Sequence, residues 1–390
     1  MTFFLIASII KLLVVFTLIM VGVALLTWLE RRVCAWMQDR LGPNRVGPQG
    51  ILQPAADGLK NFLKEETSPA MADKTLFTLA PIISFVPALL TFGVIPFAAP
   101  LPTRWGLVPM VVADLPIGFL YILAISSLGV YGIVLAGWSS NNKYALLGGL
   151  RASAQMISYE IAMGMSAVAV LLLAGNVTLS QVITQQQVAH AWFIVPLTVA
   201  FVTFFISALA ETNRLPFDLP EAEGELIAGY HTEYSSMKFS MFYIAEYSNM
   251  VTASALMATL FFGGWDIPFT SWDSTGDPTV LKSLVTLAFF GLKTFVFLFT
   301  YIWIRWTLPR FRYDQLMALG WKVLLPLALL YVTIIAAAIW FIRIQLGWDY
   351  GARMAWALGG LNVLLLIVIV WVLDRGRLVS GSMPRESEAV

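Results

Sequence analysis

Runs of about twenty apolar residues recur along the whole chain, and that recurrence leaves few folds open to it. In hydrocarbon a backbone N–H or C=O without a partner costs several kcal/mol, so only helices and closed barrels cross a bilayer. Barrel strands alternate apolar and polar residues in short segments, whereas the runs here are continuous. The expected class is an all-α, polytopic integral membrane protein with one membrane domain over 1–390. Nine spans are expected, near 3–29, 76–99, 111–137, 154–175, 192–210, 243–264, 283–304, 322–343 and 353–373. The first is too long for the apolar core of a signal peptide and lacks a small-residue cleavage site, so it reads as retained. Pro81 and Pro87 fall inside the second and should kink it.

Only 12% of the 390 residues are charged, against 59% hydrophobic and a mean hydropathy of +0.79. These few charges are sorted by loop. Arg31, Arg32, Arg40, Arg45, Lys60, Lys64 and Lys74 fall in the first loop, Lys143 and Arg151 in the third, and Arg214 and Lys238 in the fifth. Arg305, Arg310, Arg312 and Lys322 fall in the seventh, and Arg375, Arg377 and Arg385 in the tail; the alternate loops hold only Arg104, Lys282, Arg343 and Arg353. The odd loops and the C-terminus are therefore expected in the cytoplasm and the N-terminus outside. A net charge of +1 excludes a basic nucleic-acid binder. The single cysteine, Cys34, permits no intramolecular disulfide. With only His190 and His231 beside it, the sequence has no string able to hold zinc, haem or an iron–sulfur centre. Nucleotide-binding strings are absent too. If electrons are involved, another subunit carries them.

Two loops stand out. The first, 30–75, is broken by Gly42-Pro43-Asn44 and Val46-Gly47-Pro48. Beyond these, Ile51, Leu52, Ala55, Leu59, Phe62 and Leu63 recur at helical spacing, with Gln53, Asp57 and Lys60 opposite, as in an amphipathic helix at the membrane interface. A lipid-paired anchor is the plainer reading of that loop, yet an anchor needs no such defined backbone path. The second, 211–242, concentrates Glu211, Asp218, Glu221, Glu223, Glu225 and Glu233. Glu221 and Glu225 share a helical face, where like charges repel and each raises its neighbour's pKa when water is scarce. Solvated, these would be ordinary loop acids; folded back against the proline-stiffened edge 215–220, they would be protonatable relays. The folded-back form is expected.

Three more carboxylates lie within or at the ends of spans: Glu160 in the fourth, Glu211 closing the fifth and Glu246 opening the sixth. A carboxylate at membrane depth costs a few kcal/mol, so an unpaired structural role is not expected. Lys293 in the seventh span is the obvious cation, and a Glu–Lys pair is its structural reading. Asp114, beside Pro116, reads as an N-cap. His190 reads as solvated and His231 as a local hydrogen-bonding partner.

The stretches ERRVCAWMQDRLGPNRVGPQGILQPAADGLKNFLKE and ETNRLPFDLPEAEGELIAGYHTEY resemble the signature loops of the H subunit of respiratory NADH:quinone oxidoreductase (complex I), as do GWSSNNKYALLGGLRASAQMISYE, AEYSNM and IRWTLPRFRYDQLMALGWKVLLPL. The resemblance covers roughly residues 10 to 335; the family core has eight spans, so 353–390 is an extra C-terminal helix and tail. It implies a membrane-arm subunit of a proton-translocating enzyme in a bacterial inner membrane, with quinone as substrate. FMN and iron–sulfur clusters would lie in partner subunits, and peripheral-arm quinone-module subunits, small membrane-arm subunits and lipids would be its neighbours. Arg31, Ala35, Trp36, Gln38, Arg40 and Phe217 match positions beside the quinone chamber. Asp57, Glu160, Glu211, Glu221, Glu223, Glu225, Glu233 and Glu246 match a chain of acids leading to the antiporter-like subunits. One departure is Ser127, where some relatives carry a further glutamate, so that step would rely on water or on Glu160. Related complexes take electrons from ferredoxin, deazaflavin or formate, and a stand-alone transporter is a further reading; the sequence shows no inverted repeat that would favour it.

Overall fold

The structure is a computed structural model that describes residues 2–104, 106–219, 226–268, 270–273 and 277–374. Its helices are α1 Thr2–Met37, α2 Gln53–Leu63, α3 Lys74–Leu90, α4 Gly118–Ser139, α5 Lys143–Ala174 and α6 Leu179–Ala189. They continue with α7 Thr198–Glu211, α8 Ser236–Phe261, α9 Val280–Thr307, α10 Tyr313–Gln345 (which includes a π-helical turn at Leu319–Leu324) and α11 Ala352–Asp374. An antiparallel pair that the sequence pattern does not announce, β1 Ala98–Thr103 and β2 Gly106–Met110, fills the link between α3 and α4.

Among the described residues seven helices, α1, α3, α4, α5, α9, α10 and α11, are long and apolar enough to cross a membrane. The expected fifth and sixth spans differ from that pattern. Helix α7 has 14 residues, too few for about 30 Å of hydrocarbon at 1.5 Å per residue. Helix α8 has 26 residues but interrupts its apolar run with Lys238, Glu246, Asn249 and several Ser and Thr. Its small polar residues are buried by neighbours: Ser248 donates to the Ala88 carbonyl at 3.0 Å, and Thr252 meets Thr91 at 3.5 Å. A helix enclosed by other helices has no lipid to satisfy, so it need not be apolar all round.

Helix α5 is the most enclosed of the seven long helices and packs on α4, α7 and α10. Gly148 on α5 lets the turn Gly229–His231 approach closely, since a Cβ there would stand 2.6 Å from the Gly229 Cα. That contact fixes the chain just ahead of α8. Helix α1 turns Ile9, Leu13 and Leu18 outward and a stripe of Val15, Ile19, Val23 and Leu26 inward.

Two expectations from the sequence are corrected here. Asp114 is not an N-cap: α4 begins at Gly118, and the Asp114 carboxylate accepts from the Ser180 hydroxyl at 3.0 Å. Among the described residues Lys293 pairs with no glutamate; its ammonium donates to the carbonyls of Phe262, Gly264 and Asp266, just past the C-terminus of α8. There the carbonyls past the helix end are its direct partners, and the carboxylates of Asp266 and Asp273 lie near enough to add their charge.

Candidate functional site: a buried chain of carboxylates and arginines

Helix α7 ends at Glu211, and the chain then reverses through Asn213, at a positive φ of 50°, and a cis Leu215–Pro216 bond. One side chain of α5 clamps this reversal. Gln155, fully buried, donates from Nε2 to the Ala210 carbonyl at 2.8 Å, the Phe217 carbonyl at 2.9 Å and Asn213 Oδ1 at 3.1 Å. Arg214 is thereby aimed inward, 4% exposed, with its guanidinium 4.2 Å above the Tyr247 ring. Its Nε lies 2.5 Å from Glu246 Oε1, and its Nη1 donates to Glu30 at 3.3 Å.

Glu30 is the hub. It accepts from Arg214, from Arg305 of α9, and from the Tyr247 hydroxyl at 2.5 Å. Two arginines and two glutamates from α1, α8, α9 and the α7–α8 loop thus neutralise one another inside the protein. Burial alone would depress the pKa of Arg214, but Glu246, Tyr247 and Glu30 outweigh it and hold the guanidinium firmly protonated. Next to this quartet, Asp218 accepts from Arg310 at 3.2 Å. Burial pushes the Asp218 carboxyl up, against the opposing pull of Arg310, Arg305 and Arg214.

Three small cavities run on from the quartet. The first, about 20 Å³, is lined by Asn213, Arg214, Asp218, Glu246 and Arg305. The second, about 30 Å³, shares Asn213 and Glu246 with it and reaches Glu211 and Asn249. The third, also about 30 Å³, shares Glu211 and Asn249 and ends at Ser126 and Thr252. A polar cavity of roughly 15 Å³ suffices for one water, so each has room for one or two. Ser126 stands between the carboxylates of Glu211 and Glu160, its hydroxyl 3.5 Å from Glu160 Oε1. Glu246, Glu211 and Glu160 therefore lie along one polar track between α4, α5, α7 and α8. Such a track can pass protons through hydroxyls and water without a large motion of the backbone.

The other residues expected in the site fall elsewhere. Asp57 pairs with Arg31 at 2.5 Å, the two side chains 30% and 52% exposed, and holds α2 to the end of α1. Gln38 accepts from Arg40 at 2.7 Å, and Arg40 also reaches the Cys34 sulfur at 3.3 Å. Trp36 is 66% exposed, while Ala35 is fully buried. Phe217 is buried between Phe311 and Tyr159, with ring centroids at 5.6 and 5.8 Å. Glu233 accepts from Asn142 at 2.7 Å at an open cleft by Lys143, and does not line the three cavities. Glu221, Glu223 and Glu225 lie outside the described residues. His231 packs on Tyr230 and Phe239.

Glu30 was overlooked in the sequence because α1 runs to Met37, not to 29, so this residue sits inside the helix and not at its end. The signal was present. Val23, Leu26, Glu30 and Val33 recur at three- and four-residue spacing, which places the glutamate on the buried stripe. Gln155 carried no comparable signal, because its acceptors are mostly backbone carbonyls.

The NADH dehydrogenase family model matches residues 10–336. The chain is similar to NADH-quinone oxidoreductase H subunit 2 of Geobacter sulfurreducens, 50% identical over 332 residues that cover 85% of this chain and 96% of the relative. The corresponding H subunit 1 of Geobacter metallireducens is 51% identical over 324 residues, covering 83% and 94%. NADH-ubiquinone oxidoreductase chain 1 of Chondrus crispus is 50% identical over 333 residues, covering 85% and 97%.

Proposed function

Because the chain belongs to the NADH dehydrogenase family that includes the H subunit of NADH-quinone oxidoreductase, we propose that it lines the quinone chamber of that complex and carries protons away from it. It is a multi-pass subunit of the membrane arm. Arg31, Ala35, Trp36, Gln38, Arg40 and Phe217 are assigned to the chamber wall. Glu246, Glu211 and Glu160 form the proton track, with Glu221, Glu223, Glu225, Glu233 and Asp57 feeding it from the Lys/Arg-rich side. That side is cytoplasmic in this reading, with the N-terminus outside a bacterial inner membrane and nine membrane-embedded helices. The FMN and iron–sulfur clusters belong to partner subunits of the peripheral arm.

One observation carries the reading: successive cavities share polar lining residues, Asn213 and Glu246 between the first two and Glu211 and Asn249 between the last two, so that Arg214, Glu246, Glu211 and Ser126 follow one another along them. Quinone becomes quinol by taking two electrons and two protons. A head group that gains charge beside the quartet would be felt by Arg214 and Arg305, and the balance of Glu30 and Glu246 would shift with it. The charge could then be handed on to Glu211.

The test is chromosomal Glu211→Gln, read in membranes three ways. NADH oxidation by a hydrophilic artificial acceptor should persist, while quinone reduction and proton uptake fall together. If all three persist at wild-type level, Glu211 is no part of the track. If wild-type membranes oxidise no NADH, the electron donor is another.

A further inference from the structure

Helix α7 begins inside the protein, and its first turn has an unusual set of partners. The first four N–H groups of any helix lack an acceptor in their own helix, and hydrocarbon offers none. The residue at the N-cap position is Leu197, which has no side-chain oxygen. The acceptor comes from a distant helix. Asn362 of α11 accepts the Val199 N–H on Oδ1 at 3.2 Å. The Tyr331 hydroxyl of α10 donates to the same Oδ1 at 2.8 Å, which ties a second helix to the cap. Asn362 Nδ2 donates to the Pro196 carbonyl at 2.5 Å and to Leu358 of its own helix at 2.9 Å. Asn362 is fully buried, and its two donors and two acceptor sites are all used.

The rest of α11 is shaped for this contact. A Cβ on Gly359 would stand 3.3 Å from Val195 Cγ1 and 3.4 Å from the Val195 carbonyl, so glycine allows the close approach. Tyr350, just ahead of α11, donates to the Ala191 carbonyl at 3.1 Å and sets its ring edge-on to Phe193, centroids 5.2 Å apart. Met354, Ala355 and Leu358 are fully buried on the same side of the helix. A helix held only by apolar packing would need the last three alone. Here a buried amide, worth keeping in an apolar segment only when fully bonded, reaches into the start of another helix.

We infer that Asn362 is a positioning residue for Glu211: the C-terminal helix, which lies beyond the family match at 10–336, sets the axial position of α7 and with it the carboxylate at the other end. The lever is about 20 Å long at 1.5 Å per residue. Fourteen residues of continuous helix transmit a shift at Val199 to Glu211, because the intrahelical hydrogen bonds keep the rod stiff. The inference rests on the proposed role of Glu211 in the proton track, and its test separates the two.

Chromosomal Asn362→Leu keeps similar bulk and removes the cap; Tyr331→Phe removes only the hydroxyl that holds it. Three measurements are made on membranes: NADH oxidation by a hydrophilic acceptor, the pH profile of quinone reduction, and labelling of Glu211 by a hydrophobic carbodiimide. Labelling is expressed relative to Glu160 by peptide mass spectrometry. Displacements near 1 Å can cost up to about 100-fold in rate, and a shared cap should give less. Asn362→Leu should slow quinone reduction about fivefold, displace its pH profile and change the Glu211 to Glu160 labelling ratio, with the hydrophilic-acceptor rate kept. Tyr331→Phe should move all of these the same way and less. An unchanged labelling ratio and pH profile in both variants overturns the inference, as does loss of the complex from membranes in both. If Glu211→Gln leaves quinone reduction intact, the proton track fails; a changed labelling ratio in Asn362→Leu then still supports positioning by Asn362, since it reads geometry and not turnover.

Discussion

Two places along α8 solve the same problem, a charge inside a membrane protein, in different ways. At its middle, Glu246 and Tyr247 join Arg214, Glu30 and Arg305, so that charge meets charge. Just past its C-terminal end, Lys293 lies over the Trp192 ring at 4.3 Å and donates to three carbonyls at 2.6 to 3.0 Å. Its neighbours Asp266 and Asp273 are bound by Trp192 and Gln187, at 2.7 and 2.8 Å. The first arrangement has several near-equivalent partners that can exchange protons or pairings. The second has one cation held by three backbone carbonyls, with the carboxylates of Asp266 and Asp273 beside it. The difference is between charges that share partners and a cation fixed by the main chain.

That contrast breaks most sharply at Glu30. Glu30→Gln leaves the buried Arg214 and the partly buried Arg305 with only Glu246 and Asp218 to balance them, and removing one partner of a buried pair costs about 3–5 kcal/mol. The amount of assembled complex in membranes should fall steeply, as should its quinone reduction. Replacing Arg305 by Gln as well should recover part of the loss, since the surplus cation goes with it. A double variant no better than the single one would show that the quartet is not held by charge balance.

Lys293→Met tests the C-terminal end. It removes three charge-assisted hydrogen bonds, leaving three carbonyls without their donor and Asp266 and Asp273 without a nearby cation, so a loss of about 1–3 kcal/mol is expected. Thermal unfolding of the purified complex should shift down while the turnover of surviving complex stays near wild type. A turnover loss equal to that of Glu30→Gln would erase the distinction.

The smallest effect concerns pH. Burial pushes the Asp266 carboxyl up to about 6; the Trp192 N–H opposes the shift and Asp273 adds to it. A carboxyl whose folded value lies above its unfolded one binds its proton more tightly when folded, so it weakens the fold as pH rises through about 4 to 6 and strengthens it on the way down. Lowering pH from about 7 to 5 should therefore raise the melting temperature, by about 2–4 °C, and Asp266→Asn should flatten the slope. A slope that survives the substitution would assign it to other groups.

Much of this was legible in the sequence, for identifiable reasons. Glu160, Glu211 and Glu246 stood out because a carboxylate in an apolar run is costly wherever it lands. The long spans were equally plain. Glu30 was hidden by eight residues of helix beyond the expected end, 30 to 37, and Arg214 by its place in a loop of acids. The partners of Lys293 could not be read, because they are main-chain carbonyls brought up by the glycine-rich turn at 263–264. Asn362 was visible as a lone amide in LGGLNVLLL, but Val199 lies 163 residues away, and no local pattern points across that distance. The hairpin at β1 and β2 was missed because its prolines read as loop.

The neutral quartet has an electrical consequence. Two positive and two negative charges leave no net charge, so their combined field dies away much faster with distance than that of a single ion. At rest the site is therefore nearly silent to the rest of the membrane domain. One proton gained or lost turns it into a monopole in a medium of low dielectric, where a bare charge is felt many ångströms away. A site that is quiet when balanced and loud when unbalanced is well suited to reporting a single chemical event over a distance.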